Sequence, residues 1–168
     1  MFEFAEWLGT TPLSLAIQTR TWITPLLQSI HILMIGIVFV SILVVALRVL
    51  GRARTDEPIE AVWQRFAPWF WPALVVMALS GLVLILGEPV REARAMSFWF
   101  KMVFIVIGVL SAALFGRSLR SAAQSGAKEF STGARVVAVA TVVLWLAIIF
   151  LGRAIAYDLE VWGSWHLA

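Results

Sequence analysis

The chain of 168 residues carries two histidines and no cysteine. Disulfides, thiolate metal sites and cysteine nucleophiles are therefore excluded. The first histidine, His31, lies in the run Gln28-Ser29-Ile30-His31-Ile32-Leu33-Met34-Ile35-Gly36. Hydrocarbon offers an imidazole no hydrogen bond, so a ring placed there needs a protein partner, a cofactor or water. A free ring nitrogen can bond to the iron of a b-type haem. With the thioether of Met34 one turn away, it could instead hold a soft metal such as Cu(I). Lys101, Arg153 and Tyr157 are further polar groups set at the ends of apolar runs. The two cations suit haem propionates at a membrane surface, where charge-assisted hydrogen bonds are strong.

Each of these residues also has a plain structural use. A lysine near a span's end can snorkel to the headgroups, an arginine can flank a helix, and a methionine can fill a core. His31 can bond a neighbouring carbonyl or hydroxyl. A second axial ligand is not evident, because His166 lies in the tail and Met96 and Met102 have no supporting pattern. A five-coordinate haem, or one completed by a partner subunit, stays open. Trp145, in the middle of an apolar run, could flank a quinone head or serve packing alone. The apolar runs contain no carboxylate, which argues against hydrolysis and against ion-coupled transport.

The elements that must position these groups follow from composition. The chain is 61% hydrophobic and 14% charged, with a mean hydropathy of +0.93. A soluble domain carries about 25% charged residues. Because about 20 residues cross a core of about 30 Å, four runs predict spans near 26–47, 70–87, 97–115 and 136–155. The fold class expected is all-α: an integral membrane four-helix bundle with short interfacial helices at the N-terminus and C-terminus. No repeat is visible, so residues 1–168 form one membrane domain.

Residues 1–22 are too polar to span, and Thr10-Thr11-Pro12 looks like a helix start, with a capping hydroxyl before a first-turn proline. Trp7 and Trp22 suit the lipid boundary. No basic segment precedes them, so a cleaved signal peptide is not expected. Ile59–Phe66 reads as a short amphipathic turn ahead of Pro68-Trp69-Phe70-Trp71-Pro72, and residues 88–94 as a charge-balanced loop.

The net charge is only +3 and the basic residues flank the spans, so they act as topology signals and not as a nucleic-acid surface. Eight of the 13 Lys and Arg residues (Arg48, Arg52, Arg54, Arg65, Arg117, Arg120, Lys128 and Arg135) lie on the side of the first and third loops. That side is expected to face the cytoplasm, with both termini outside. His31, Lys101 and Arg153 then fall at one depth on three helices, in the outer half. Lys101 shares its face with Ile105, Gly108 and Ala112, which puts the amine on the small-residue packing side.

The string Thr11-Pro12-Leu13, Trp22-Ile23-Thr24-Pro25, His31-Ile32-Leu33-Met34-Ile35-Gly36 and Leu47-Arg48-Val49-Leu50-Gly51 resembles an uncharacterised bacterial family of small four-span membrane proteins. The likeness continues through Leu79-Ser80-Gly81-Leu82, Phe98-Trp99-Phe100-Lys101-Met102 and Gly152-Arg153-Ala154-Ile155-Ala156-Tyr157. More distantly the pattern is similar to copper-resistance D-type and haem-binding protoporphyrinogen oxidase-type membrane proteins. There an early-span His precedes a late-span Arg, a Ser/Thr-Gly pair and a Lys opening the third span. These correspond to His31, Arg48, Ser80-Gly81 and Lys101. The oxidases carry a His two residues before that Lys, where this chain has Trp99. Relatives in the small family often have a His where this chain has Gly116.

The resulting expectation is a small protein of the bacterial inner membrane binding haem b. His31 is the metal ligand, Lys101 and Arg153 hold propionates, and Tyr157 and Met34 border the site. Its role would be electron transfer at the outer face, with a quinone or a periplasmic redox partner, and a homo-oligomer is expected. The alternatives are a cofactor-free membrane subunit or transporter-like protein, and a copper-binding membrane protein using Met34 and Met96 or Met102.

Overall fold

The computed structural model describes residues 2–125 and 130–163, the stretch 115–125 by its backbone alone. In the described residues eight α-helices follow one another: α1 (Phe2–Gly9), α2 (Pro12–Thr19), α3 (Ile23–Val49), α4 (Ile59–Gly87), α5 (Pro89–Arg94), α6 (Met96–Ser125), α7 (Thr132–Ala154) and α8 (Asp158–Trp162), with a 3₁₀ turn, Ile155–Tyr157, between the last two. Four of the helical stretches are long and apolar enough to cross a membrane. The chain is an all-α membrane bundle.

The long helices pair as two hairpins, α3 with α4 and α6 with α7, joined mainly by α3 against α7, while α4 and α6 meet only sparsely. Inside, Val38, Phe70, Ala73, Met77, Trp145 and Ile148 form one core, with Phe70 edge-on to Trp145 at 6.5 Å. A second core toward the basic loops is built from Val45, Val49, Ile59, Val62 and Ala138. Gly108 lets α6 close on α7, since a Cβ there would lie 3.2 Å from Trp145 Nε1. Small residues serve such close approach in membranes, where dispersion contacts replace the hydrophobic drive. The outward faces are apolar instead of polar, as at Ile32, Leu33, Leu114 and Phe150, which is the pattern expected of a lipid-facing surface.

Three stretches differ from their sequence reading. Residues 59–66 are not a separate turn, because α4 runs unbroken from Ile59 through Pro68 and Pro72 to Gly87. Inward residues on both sides of the prolines, Val62 before and Phe70 and Ala73 after, keep one buried face. Packing thus outweighs the two lost backbone bonds. Residues 89–94 are helical, with Pro89 in the first turn where it costs no intrahelical bond. The third helix continues past the expected span end to Ser125. The expected start at Thr11 holds, as its side chain accepts the Ser14 N–H at the head of α2.

At the basic end, α3 stops where Gly51 takes a φ of +71°, and the Arg52 N–H folds back to the Leu47 carbonyl at 2.9 Å. Such a left-handed residue after a helix is most readily glycine. Arg48 Nε then donates to the Glu57 carbonyl at 2.7 Å, tying down the loop.

At the opposite end the short helices form a layer over the bundle. Ser14 Oγ donates to the Leu86 carbonyl at 2.6 Å, and Gln18 Nε2 donates to Ser14 Oγ at 2.8 Å. Helix α1 packs on α5, with the Arg94 guanidinium 5.9 Å from the centre of the Phe2 ring. From the far side, Asp158 accepts the Met96 and Ser97 N–H groups, each at 3.0 Å, at the start of α6. Trp162 Nε1 donates to Ser97 Oγ at 2.8 Å and its ring stacks on Phe100.

Candidate cofactor site

Beneath that layer lie the polar side chains of the spans. His31 is two turns into α3 and faces α4. Its Nδ1 is 2.8 Å from Ser80 Oγ, and Ser80 Oγ in turn donates to the Met77 carbonyl at 3.1 Å. A hydroxyl has one proton to give. In the tautomer with the ring proton on Nδ1, His31 donates to Ser80 while Ser80 donates to Met77, and Nε2 carries the lone pair. Gly81 makes the approach possible: a Cβ there would already touch His31 Cε1, at 3.4 Å.

Lys101, at the second turn of α6, leans on α7. A Cβ on Gly152 would lie 3.4 Å from its Nζ and 3.6 Å from Cε. The charge of Lys101 acts on both His31, across the bundle, and Glu92, on α5 above. Glu92 belongs to the charge-balanced segment 88–94. Its side chain is 12% exposed and 3.8 Å from Arg91. Burial pushes its carboxyl above the ordinary range, against the opposing pull of Arg91 and Lys101.

The remaining expected site residues separate from this group. Arg153 follows Gly152 but is exposed, its Nη2 donating to Tyr157 Oη at 3.3 Å with the guanidinium over the Tyr157 ring. Met34 is half-buried against the core beside His31, in a filling position. Trp99, which stands where the oxidases have a histidine, points to α5, and its Nε1 donates to the Ala93 carbonyl at 3.0 Å. Arg48 is at the other end of α3, over Phe130. Trp145 is deep in the core and 2% exposed. His166 and the side chain at position 116 lie outside the described residues. Among the described residues no three His, Asp or Glu side chains converge.

The sequence places this architecture in a family. The model of a family of unknown function, DUF6644, matches residues 4–158, from α1 to the aspartate at the head of α8. The chain belongs to the DUF6644 family. No curated protein and no solved structure matches it. The DUF6644 match takes in all four long helices with α2, α5 and most of α1, and of α8 its first residue, Asp158.

Proposed function

We propose that this DUF6644 protein is a small haem b protein of the bacterial inner membrane, with His31 as axial ligand and electron transfer as its role. The observation that carries the reading is the Nδ1 contact to Ser80 Oγ at 2.8 Å. Histidines that bind a metal through one nitrogen almost always give the other N–H to an acceptor, which fixes the tautomer and ring orientation. Ser80 supplies that acceptor and leaves Nε2 bare, so the donor set fits one axial position. When bound, haem supplies one-electron chemistry. In this reading the chain itself supplies the ligand, its orientation and a cation, Lys101, which lies against Gly152 of α7. Arg153, next in the chain to the Gly152 that Lys101 packs on, would reach a propionate from outside this group, with Tyr157 as its partner.

The same reading puts the basic loops in the cytoplasm and the site near the periplasmic face, where a quinone or a soluble redox partner can reach it. The second axial position is left to a partner subunit or stays open.

The test is an absorption spectrum of protein purified from haem-replete cells. A Soret band with reducible α and β bands, abolished in a folded His31→Ala variant, supports the assignment. Ser80→Ala should keep haem but raise the midpoint potential, because a ring that has lost its acceptor is a weaker donor to the oxidised metal. A colourless wild-type preparation would overturn the proposal and favour a cofactor-free subunit.

A further inference from the structure

Helix α4 is 29 residues long, or about 43 Å at 1.5 Å per residue, against a hydrocarbon core of about 30 Å. Its first turns carry Glu60, Gln64 and Arg65 and adjoin the basic loop, which places this end of the helix in the headgroup zone. On this part Glu60, Trp63, Gln64, Pro68, Trp71 and Pro72 surround an open notch of about 440 Å³. The notch floor is unusual in its backbone. Pro68 and Pro72 have no N–H, so the carbonyls of Gln64 and Pro68, each four residues earlier, lose their helical donor. Unsatisfied carbonyls are costly where water is scarce, and these two belong to residues that line the notch.

The charge pattern is equally specific. The neighbouring arginines are spent on Glu57, Arg54 at 2.8 Å and Arg65 at 3.1 Å. Glu60 takes part in no ion pair among the described residues and is bonded by the Gln64 amide at 3.2 Å. The wall on either side is an indole, and indole faces attract cations. An ion-unpaired carboxylate, two carbonyls without their i+4 donor and the Trp63 indole thus line the upper part of the notch, with the Trp71 indole below them.

We infer that this notch binds the ammonium headgroup of an aminophospholipid of the phosphatidylethanolamine type. A primary ammonium brings three N–H donors for the carbonyls and the carboxylate. A choline headgroup brings the charge without donors, and an anionic headgroup meets Glu60 with the wrong sign. Below the headgroup level, the exposed rings of Pro68, Trp71 and Pro72 offer an apolar surface for the start of the acyl chains.

The experiment is native mass spectrometry of the purified protein equilibrated with equimolar phosphatidylethanolamine, phosphatidylcholine and phosphatidylglycerol. The ethanolamine lipid should be retained about fivefold over each of the others, the scale of one donor-dependent contact. Glu60→Gln removes the charge, and Pro68→Ala restores the missing N–H and closes the Gln64 carbonyl. Each should bring the ratio to about parity, while thermal stability and helix content stay at wild-type values or rise for Pro68→Ala. Equal retention of the choline lipid, or an ethanolamine preference that survives both variants, would overturn the inference. So would variants that leave the lipid ratio unchanged but convert a dimer to a monomer, which would make the notch a contact between copies.

Discussion

At Glu92, burial and charge oppose each other under the covering layer. Burial is the larger effect and holds the carboxyl above its ordinary range despite Arg91 and Lys101. The folded protein therefore binds this proton more tightly than the unfolded chain. The corresponding stability is fully present below the ordinary carboxylate range, about 4.3, and is lost as pH rises through the raised folded value. Glu92→Gln should remove that limb. Thermal midpoints in detergent are expected to fall for wild type relative to the variant as pH climbs; a wild type that gains on the variant would show the cation pairing to be the larger effect. Single residues of this kind were unevenly legible. His31 and Lys101 stand out because a polar group in an apolar run is conspicuous in any sequence. The Ser80 hydroxyl, the bare backbone of Gly152 and Glu92 were not assignable as their neighbours. Which residue faces His31 is set by the rotation of α4 against α3, and that depends on side-chain packing spread over the whole hairpin.

Helix ends and helix interruptions decide the next level. The start of α6 has its first two N–H groups on one carboxylate from beyond the fourth span, Asp158, which is 5% exposed. Anionic caps at a helix N-terminus gain from hydrogen bonding and from the dipole. Asp158→Ala is expected to cost about 2 kcal/mol, at the upper end of cap losses because the site is buried. Unfolding in detergent measures the loss, and faster amide exchange at Met96 and Ser97 locates it; a variant with wild-type stability would show that the turn is held by Trp162 and Phe100 instead. Thr11 was recognisable as a cap because its partner is three residues away. Asp158 was not, since 61 residues separate it from the amide of Ser97. The prolines misled for a related reason. Pro68 and Pro72 read locally as a helix boundary, yet Val62 on one side and Phe70 on the other are both buried, and a continuous helix buries both.

For the whole molecule, hydropathy carried the reading. Four apolar runs of about 20 residues specify four long helices, because a helix satisfies its backbone within one segment in lipid and needs that length to cross, and the described residues contain those four. Pairing was less accessible: α4 and α6 are neighbours in order but touch little, while α3 and α7 join the hairpins. The charge asymmetry makes a prediction at this scale. A reporter fused at Asp56 should score as cytoplasmic and one fused after Trp162 as periplasmic; the reverse result would move the His31 end of the bundle to the inner face. The covering layer adds a matter of timing. The chain emerges from the ribosome in order, and the first turn of α6 is completed by a carboxylate made 62 residues after Met96. Until that residue is synthesised and the last span has crossed, the third span waits with an open end, so the fold is locked from its C-terminal side and only when insertion is done.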